Sequence, residues 1–143
     1  MTIISSDNEI IDLLRSHDIS PTHQRVEIAR VLLSRHQHLS AEQVLDKVNE
    51  SQSVVSKATV YNTLGLFARK GLIKEVIVDP TKVFYDPNTQ PHHHFYNVDT
   101  GTLMDIEANE VSLERLPAAP EGMEPDGVEV IIRLRNCDKF AVH

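Results

Sequence analysis

Apolar positions in the first third of the chain recur with the spacing of amphipathic helices. Residues 8–17 carry apolar side chains at positions 10, 11, 13 and 14, which predicts a short helix. A second helix is predicted to begin at Ser20-Pro21, an N-cap followed by proline at the first helical position, and to run to about Arg35. Ser40-Ala41-Glu42-Gln43 has the pattern of a capping box and predicts the start of a third helix.

A fourth helix is predicted from an N-cap at Ser56 to Arg69 or Lys70, with Gly71 just after its end. Its buried stripe follows the spacing i, i+4, i+7 and i+8 and consists of Val60, Leu64, Phe67 and Ala68. The polar residues near its N-terminal end lie largely off that stripe. The beginning of this helix is therefore predicted to be exposed and rich in hydroxyl groups.

The pattern then changes to that of strands. Residues 73–78 and 83–85 are joined by Asp79-Pro80-Thr81-Lys82, which predicts a β-hairpin. Helices followed by a hairpin, with a polar start to the last helix, describe a winged helix-turn-helix. Helices of this kind enter the DNA major groove by their N-terminal residues.

After Tyr85 the composition changes to prolines, histidines and short strands. The predicted elements are strands at 95–98 and 103–106 around a turn at 99–101, a short helix at 109–116, a loop at 121–127 and a strand at 128–134. The fold class is therefore α+β: an N-terminal winged helix-turn-helix DNA-binding domain at 1–84, then a small α/β dimerisation domain at 85–143. Strand edges in so small a second domain favour a homodimer.

Composition excludes several classes of protein. An apolar fraction of 41% and a charged fraction of 24% are typical of a globular protein. No apolar run approaches the ~18 residues of a membrane span, so we expect a cytoplasmic protein without a membrane partner. Cys137 is the single cysteine, which excludes an internal disulfide and a structural zinc site built from cysteines.

Charge is distributed unevenly along the chain. The net charge of −7 comes mostly from residues 80–143, whereas 56–74 contain four Lys/Arg and no acidic residue. An acidic half joined to a half with one basic segment is compatible with a regulated DNA-binding protein.

Histidines and carboxylates cluster between positions 86 and 105. In an extended segment His92 and His94 lie on the same side and His93 on the other. Together with Asp86 and Asp105 they form a mixed nitrogen and oxygen set, which suits Fe(II), Mn(II) or Zn(II).

Taken together, these motifs resemble the ferric uptake regulator family of bacterial metal-dependent repressors. The most specific match is the segment 56–64 leading to Gly71-Leu72-Ile73, which resembles the recognition helix of that family. Residues 20–25, residues 38–42 and the histidine segment also match, in the same order.

The resemblance implies a transcriptional regulator of iron homeostasis, mainly a repressor, and not an enzyme. It implies a sensing site for Fe(II) or Mn(II), where Zn(II) can substitute, formed by His38, Asp86, His92, His94 and Asp105. It also implies a homodimer bound to palindromic operator DNA. Lys57 is then a candidate for phosphate contacts, and Thr59, Tyr61 and Asn62 for contacts at or near the bases.

Departures from the family pattern leave the effector open. Asn97 and Thr100 stand where many members have a C-x-x-C, so the zinc-thiolate brace is absent. An aspartate at position 105 is typical of the peroxide-responsive branch, in which iron and peroxide oxidise a ligand histidine. The three consecutive histidines resemble the haem-binding segment of the iron-response branch, where His93 would serve haem or a second metal site.

Two further interpretations come from other classes of protein. A small non-haem iron enzyme could use the H-x-H pair and Asp105, but a substrate pocket needs more chain than this domain offers. A haem or metal carrier would not need the basic, acid-free segment at 56–74.

Overall fold

The computed structural model describes residue 4 and residues 6–50 and 55–138. The chain divides into two units, Met1–Thr89 and Gln90–His143. Among the described residues, no helix is both long enough and apolar enough to cross a bilayer.

The first unit contains helices and a β-hairpin around one apolar core. Its described elements are α1 (Asp7–Ser16), α2 (His23–Leu33), α3 (Ala41–Val48), α4 (Lys57–Arg69), β1 (Lys74–Asp79) and β2 (Lys82–Asp86). Side chains from the helices meet in the core, where Leu14, Leu32 and Phe67 are completely buried. Burial of such side chains stabilises the unit by roughly 1.5–3 kcal/mol each. This arrangement is the predicted winged helix-turn-helix.

The predicted start of α2 was wrong by two residues. Thr22, and not Ser20, is the N-cap, and its hydroxyl accepts the Arg25 amide. The backbone carbonyl of Ser20 instead accepts hydrogen bonds from the Thr22 amide and the Arg25 guanidinium. Pro21 therefore precedes the helix.

The predicted end of α2 was also too late, because the helix ends at Leu33 and not near Arg35. The side-chain amide of Gln37 donates to the carbonyl oxygens of Val31, at 2.6 Å, and Leu32, at 3.4 Å. A side chain thus satisfies two of the last carbonyls, and further helical turns are not needed for that purpose.

The capping box of α3 is confirmed in both directions. The Gln43 amide donates to the Ser40 hydroxyl, and the Ser40 amide donates to the Gln43 side chain. Immediately before this helix, Leu39 pairs with Tyr85 of β2 through two backbone hydrogen bonds of 3.2 and 2.8 Å. The bridge joins the start of α3 to the wing formed by β1 and β2.

The second unit contains a three-stranded sheet. Its strands are β3 (His93–Asn97), β4 (Thr102–Ile106) and β5 (Ile131–Leu134), in the order β4-β3-β5. β3 is antiparallel to β4 and parallel to β5. Gly101, with φ of 71°, lies in the β3–β4 turn and donates its amide to the Asn97 carbonyl.

The predicted helix at 109–116 was wrong. A short 3-10 turn at Ala108–Glu110 is followed by Val111 in extended conformation. Leu113 and Leu116 are 44% and 54% exposed. An isolated helix of this length is unstable in water and forms only when its apolar face packs against another surface. Here the two leucines that would form that face are exposed instead.

The predicted strand at 128–134 begins three residues later than expected. The amide of Val130 donates to the side-chain Nδ1 of His93 at 2.9 Å instead of to a strand carbonyl. The side chain therefore replaces the next backbone hydrogen bond, and regular pairing with β3 starts at Ile131.

Candidate functional site

A histidine and an aspartate meet in the first unit. His38 and Asp86 flank the Leu39–Tyr85 bridge, which brings their side chains together: Nε2 of His38 lies 3.1 Å from Oδ2 of Asp86. The other oxygen, Oδ1, accepts the Asn88 amide at 2.9 Å. One carboxylate oxygen therefore orients Asp86 and the other faces the imidazole.

Two histidines meet an aspartate in the second unit. His94 of β3 stands directly opposite Asp105 of β4, and its Nε2 lies 3.3 Å from Oδ1. Nε2 of His92 lies 3.4 Å from the same oxygen. The two rings meet edge to face with their centroids 4.5 Å apart. His92 and His94 thus share one side, as the alternation along an extended chain predicts.

The second ring nitrogens decide what this cluster can do. Nδ1 of His92 lies 2.7 Å from the carbonyl oxygen of Gln90, and Nδ1 of His94 lies 2.7 Å from the carboxylate of Glu129. Both partners accept hydrogen bonds, so each Nδ1 carries the hydrogen. In the neutral rings the Nε2 lone pairs then face the Asp105 carboxylate. Three electron-pair donors directed at one another fit a bound cation, and imidazole with carboxylate suits Fe(II), Mn(II) or Zn(II).

His93 is oriented differently from its neighbours. Its Nδ1 accepts the Val130 amide, and the residue is 8% exposed. The described contact of His93 is therefore structural, since it ties the segment before β5 to β3.

Sequence reasoning missed Glu129. It lies 35 positions from His94, and only the parallel pairing of β3 with β5 brings the two together. Parallel pairing across so long a connection has no local signal in the sequence.

The four candidate DNA-contacting residues lie on the first turns of α4. The Ser56 hydroxyl caps this helix by accepting the Thr59 amide, and no acidic residue lies in its first turn. Tyr61 is 43% exposed, and Nζ of Lys57 lies 5.8 Å from the centre of its ring. Asn62 is exposed and Thr59 is half-buried. The helix therefore presents a cation, a phenol and an amide beside its positive N-terminal end.

A family model matches this arrangement over most of the chain. The model described as "Ferric uptake regulator family" matches residues 16–132. The chain belongs to the ferric uptake regulator family. It is accordingly a transcription regulator of a metal-responsive family, and not an enzyme.

Relatives in this family have different metals and signals in their names. The peroxide-responsive repressor PerR of Staphylococcus aureus (strain Mu50 / ATCC 700699) is 32% identical over 109 residues, covering 76% of this chain and 74% of the relative. The ferric uptake regulator of Pseudomonas aeruginosa with manganese is 26% identical with a TM-score of 0.67, covering 87% of this chain and 96% of that one.

A third protein supports the fold. The ferric uptake regulator of Francisella tularensis with iron has a TM-score of 0.68 at 22% identity, covering 85% of this chain and 93% of that one. The fold predicted from the sequence, a winged helix-turn-helix followed by a small dimerisation domain, is confirmed by these likenesses.

Proposed function

We propose that this protein is a DNA-binding repressor of iron homeostasis genes in which His38, Asp86, His92, His94 and Asp105 hold one Fe(II) or Mn(II) ion. The observation that carries the proposal is the orientation of His92 and His94. Both rings place Nε2 toward Asp105 because an acceptor holds Nδ1. Zn(II) is able to use the same donors.

Two arguments support His38 and Asp86 as ligands of the same ion: the number of donors that the ion needs, and the short segment between Asp86 and His92. Three donors leave coordination positions of Fe(II) or Mn(II) open, and the pair in the first unit supplies one nitrogen and one carboxylate. Five residues separate Asp86 from His92, so their Cα atoms are at most about 20 Å apart. The family resemblance assigns the same five positions.

Such a site would link metal binding to DNA binding. A bound ion would supply positive charge that neutralises the carboxylates of Asp86 and Asp105. Donors from both units would then favour one arrangement of the DNA-binding unit relative to the second unit. Metal and operator would strengthen each other's binding by equal factors, typically about 5–150-fold.

We further propose that the protein acts as a homodimer on palindromic operator DNA in the cytoplasm. In the described part of the second unit, β4 and β5 lie at the sheet edges. Several apolar side chains there are exposed: Leu113, Leu116, Met123, Val128 and Ile132. Burial of these side chains against a second copy would stabilise the dimer, and twofold symmetry would call for a palindrome.

The test is a titration of operator DNA with and without Mn(II), or Fe(II) under anaerobic conditions, in wild type and Asp105→Ala. We expect metal to tighten DNA binding of wild type and to have no effect on the variant. Glu107→Ala is the matched control, because this exposed carboxylate lies two residues away and makes no side-chain capping hydrogen bond to the 3-10 turn that follows it. Equal DNA affinity with and without metal, in wild type as in Asp105→Ala, would exclude the proposed sensing mechanism.

Peroxide sensing is a second candidate function. It is favoured by Asp105 together with the PerR relative at 32% identity. In this case one oxygen atom from hydrogen peroxide is inserted at a carbon of a ligand histidine ring, that of His38, His92 or His94, and water is released. Treatment of the Fe(II) protein with peroxide should then abolish DNA binding and add the mass of one oxygen to a peptide that contains one of these histidines. The Mn(II) protein is the control, and unchanged masses of all these peptides in the Fe(II) protein would exclude this function.

A further inference from the structure

Glu129 contacts the proposed metal ligand His94 at Nδ1, the ring nitrogen that does not face Asp105. Its Oε1 lies 2.7 Å from Nδ1 of His94, and its side chain is 22% exposed. We propose that Glu129 is the positioning residue of the sensing site: its carboxylate holds the proton of His94 on Nδ1 and so presents Nε2 to the ion. This inference rests on the proposed metal-binding function.

The contact selects one of two forms of the imidazole. A neutral histidine carries its hydrogen on either Nδ1 or Nε2, and only the free nitrogen can bind metal. Glu129 accepts from Nδ1, so the Nε2 lone pair of His94 is directed toward Asp105, 3.3 Å away. An ionised acceptor also makes a stronger hydrogen bond than a neutral one and increases the basicity of the ring.

His92 provides a comparison within the same site. Its Nδ1 donates to a backbone carbonyl, that of Gln90, also at 2.7 Å. The two ligands are therefore oriented in the same way, one by a peptide dipole and the other by a charged side chain. His94 has no exposed surface, so water does not replace Glu129 as the acceptor in this conformation.

Two hydrogen bonds of the next residue, Val130, hold the backbone beside Glu129 in place. The His94 amide donates to the Val130 carbonyl at 3.1 Å, and the Val130 amide donates to Nδ1 of His93 at 2.9 Å. Because Val130 follows Glu129 directly, these bonds fix the segment that carries the carboxylate. His93 thus supports the position of Glu129, while His92 and His94 face Asp105.

Binding of Mn(II) by Glu129→Ala and Glu129→Gln tests the proposal. Loss of such an orienting partner typically weakens metal binding roughly 10–100-fold, which we expect for Glu129→Ala. Glu129→Gln should bind more tightly than Glu129→Ala, because the amide oxygen still accepts from Nδ1. The same substitutions at Glu124, an exposed glutamate in the preceding loop, should leave the affinity unchanged.

A spectroscopic measurement on the metal-free protein separates positioning from general stability. Long-range proton–nitrogen NMR should show the Nδ1–H form of His94 in wild type and Glu129→Gln, and a loss of that preference in Glu129→Ala. Thermal unfolding of each variant reports on the fold. Unchanged Mn(II) affinity and an unchanged His94 ring in Glu129→Ala would overturn the proposal.

Three other results would also overturn it, and they have different meanings. If Glu129→Gln loses as much affinity as Glu129→Ala while His94 keeps its Nδ1–H form, Glu129 is a direct ligand. If wild type and Asp105→Ala bind Mn(II) equally weakly, the proposed metal site itself fails. Loss of binding in Asp105→Ala but not in Glu129→Ala refutes only the role of Glu129.

Discussion

At the scale of single residues, three consecutive histidines have different environments because each Nδ1 has a different partner. A carbonyl accepts from His92, an amide donates to His93, and a carboxylate accepts from His94. Alternation along the strand decides which side each ring occupies, whereas the partner decides which nitrogen remains available. A histidine on the correct side of the strand is therefore able to bind metal through Nε2 only if the partner of its Nδ1 accepts a hydrogen bond.

The contacts of His93 predict an effect on stability in His93→Ala. The substitution leaves the Val130 amide without its described acceptor, so the free energy of unfolding should fall by about 1–3 kcal/mol. Urea unfolding measures this loss, and hydrogen exchange at Val130 should accelerate. The Mn(II) affinity should fall less than in Asp105→Ala.

Titration of wild type and His93→Ala with haem tests whether His93 is a haem ligand. If His93 is a haem ligand, wild type should show a haem absorption spectrum that His93→Ala lacks. Identical spectra would exclude this role.

At the scale of elements, helix α4 is defined at both ends by local chemistry. Ser56 caps its start, and the motif after its end places Gly71 at φ of 78°. The Leu72 amide donates to the Phe67 carbonyl and the Gly71 amide to the Ala68 carbonyl, which is the pattern of a Schellman motif. This ending directs the chain from α4 into the wing.

Two glycines of this region should respond to alanine in opposite ways. Gly71→Ala should destabilise the protein by about 1–2 kcal/mol, because an L-residue is strained at positive φ. Gly65→Ala lies inside α4, where alanine is favoured over glycine by up to about 1 kcal/mol. Its new Cβ would lie 3.3 Å from the guanidinium of Arg69, and this long side chain is able to shift away at little cost. Urea unfolding of both variants checks the signs, and equal stability of the two would contradict the assignment of the Schellman motif.

The wing turn should be sensitive to acid. Hydrogen bonds from the Thr81 hydroxyl and then its backbone amide lower the pKa of Asp79 below its ordinary value of 3.8. A lowered pKa means that ionised Asp79 stabilises the turn above its unfolded pKa, and that this contribution is lost as pH falls through the folded pKa. In Thr81→Ala the pKa of Asp79 should rise toward 3.8, as measured by NMR titration of the carboxyl groups. An unchanged Asp79 titration would contradict the role of Thr81.

At the scale of the whole molecule, opposite charges are concentrated in different parts of the chain. The net charge is −7, yet residues 56–74 contain no acid and include the start of α4. A protein with this balance has little general attraction for polyanions, so its DNA affinity depends on the local cations and on base contacts. Regulation by metal is more effective in such a protein, because nonspecific binding contributes little.

Substitutions on α4 should separate affinity from specificity. Lys57→Ala should weaken binding to operator and unrelated DNA alike and reduce the salt dependence by about one phosphate contact for each subunit. Asn62→Ala should instead reduce the preference for the operator, by roughly 1–3 kcal/mol if it contacts a base. Arg115→Ala, an exposed cation of the second unit, is the control. An unchanged salt dependence in Lys57→Ala would remove this residue from the DNA contacts.

The sequence alone determined the features that depend on near neighbours. Helical periodicity, the capping box at Ser40, the end of α4 and the shared side of His92 and His94 all follow from residues within a few positions of one another. Predictions were less accurate where a side chain competes with the backbone for the same hydrogen-bonding groups, whether it comes from nearby or from far along the chain. Gln37 binds the last carbonyls of α2, and the side chain of His93 takes the Val130 amide, so both element boundaries moved.

Tertiary structure alone decided the features that join distant positions. The Leu39–Tyr85 bridge places His38 beside Asp86, and the pairing of β3 with β5 places Glu129 on His94. Residues 111–116 have helix-forming character but are not helical, because a short helix depends on an apolar partner more than on its own sequence. Local contacts therefore specified which residues are the candidate donors and how His92 is oriented, whereas long-range pairing specified which nitrogen of His94 is directed at Asp105.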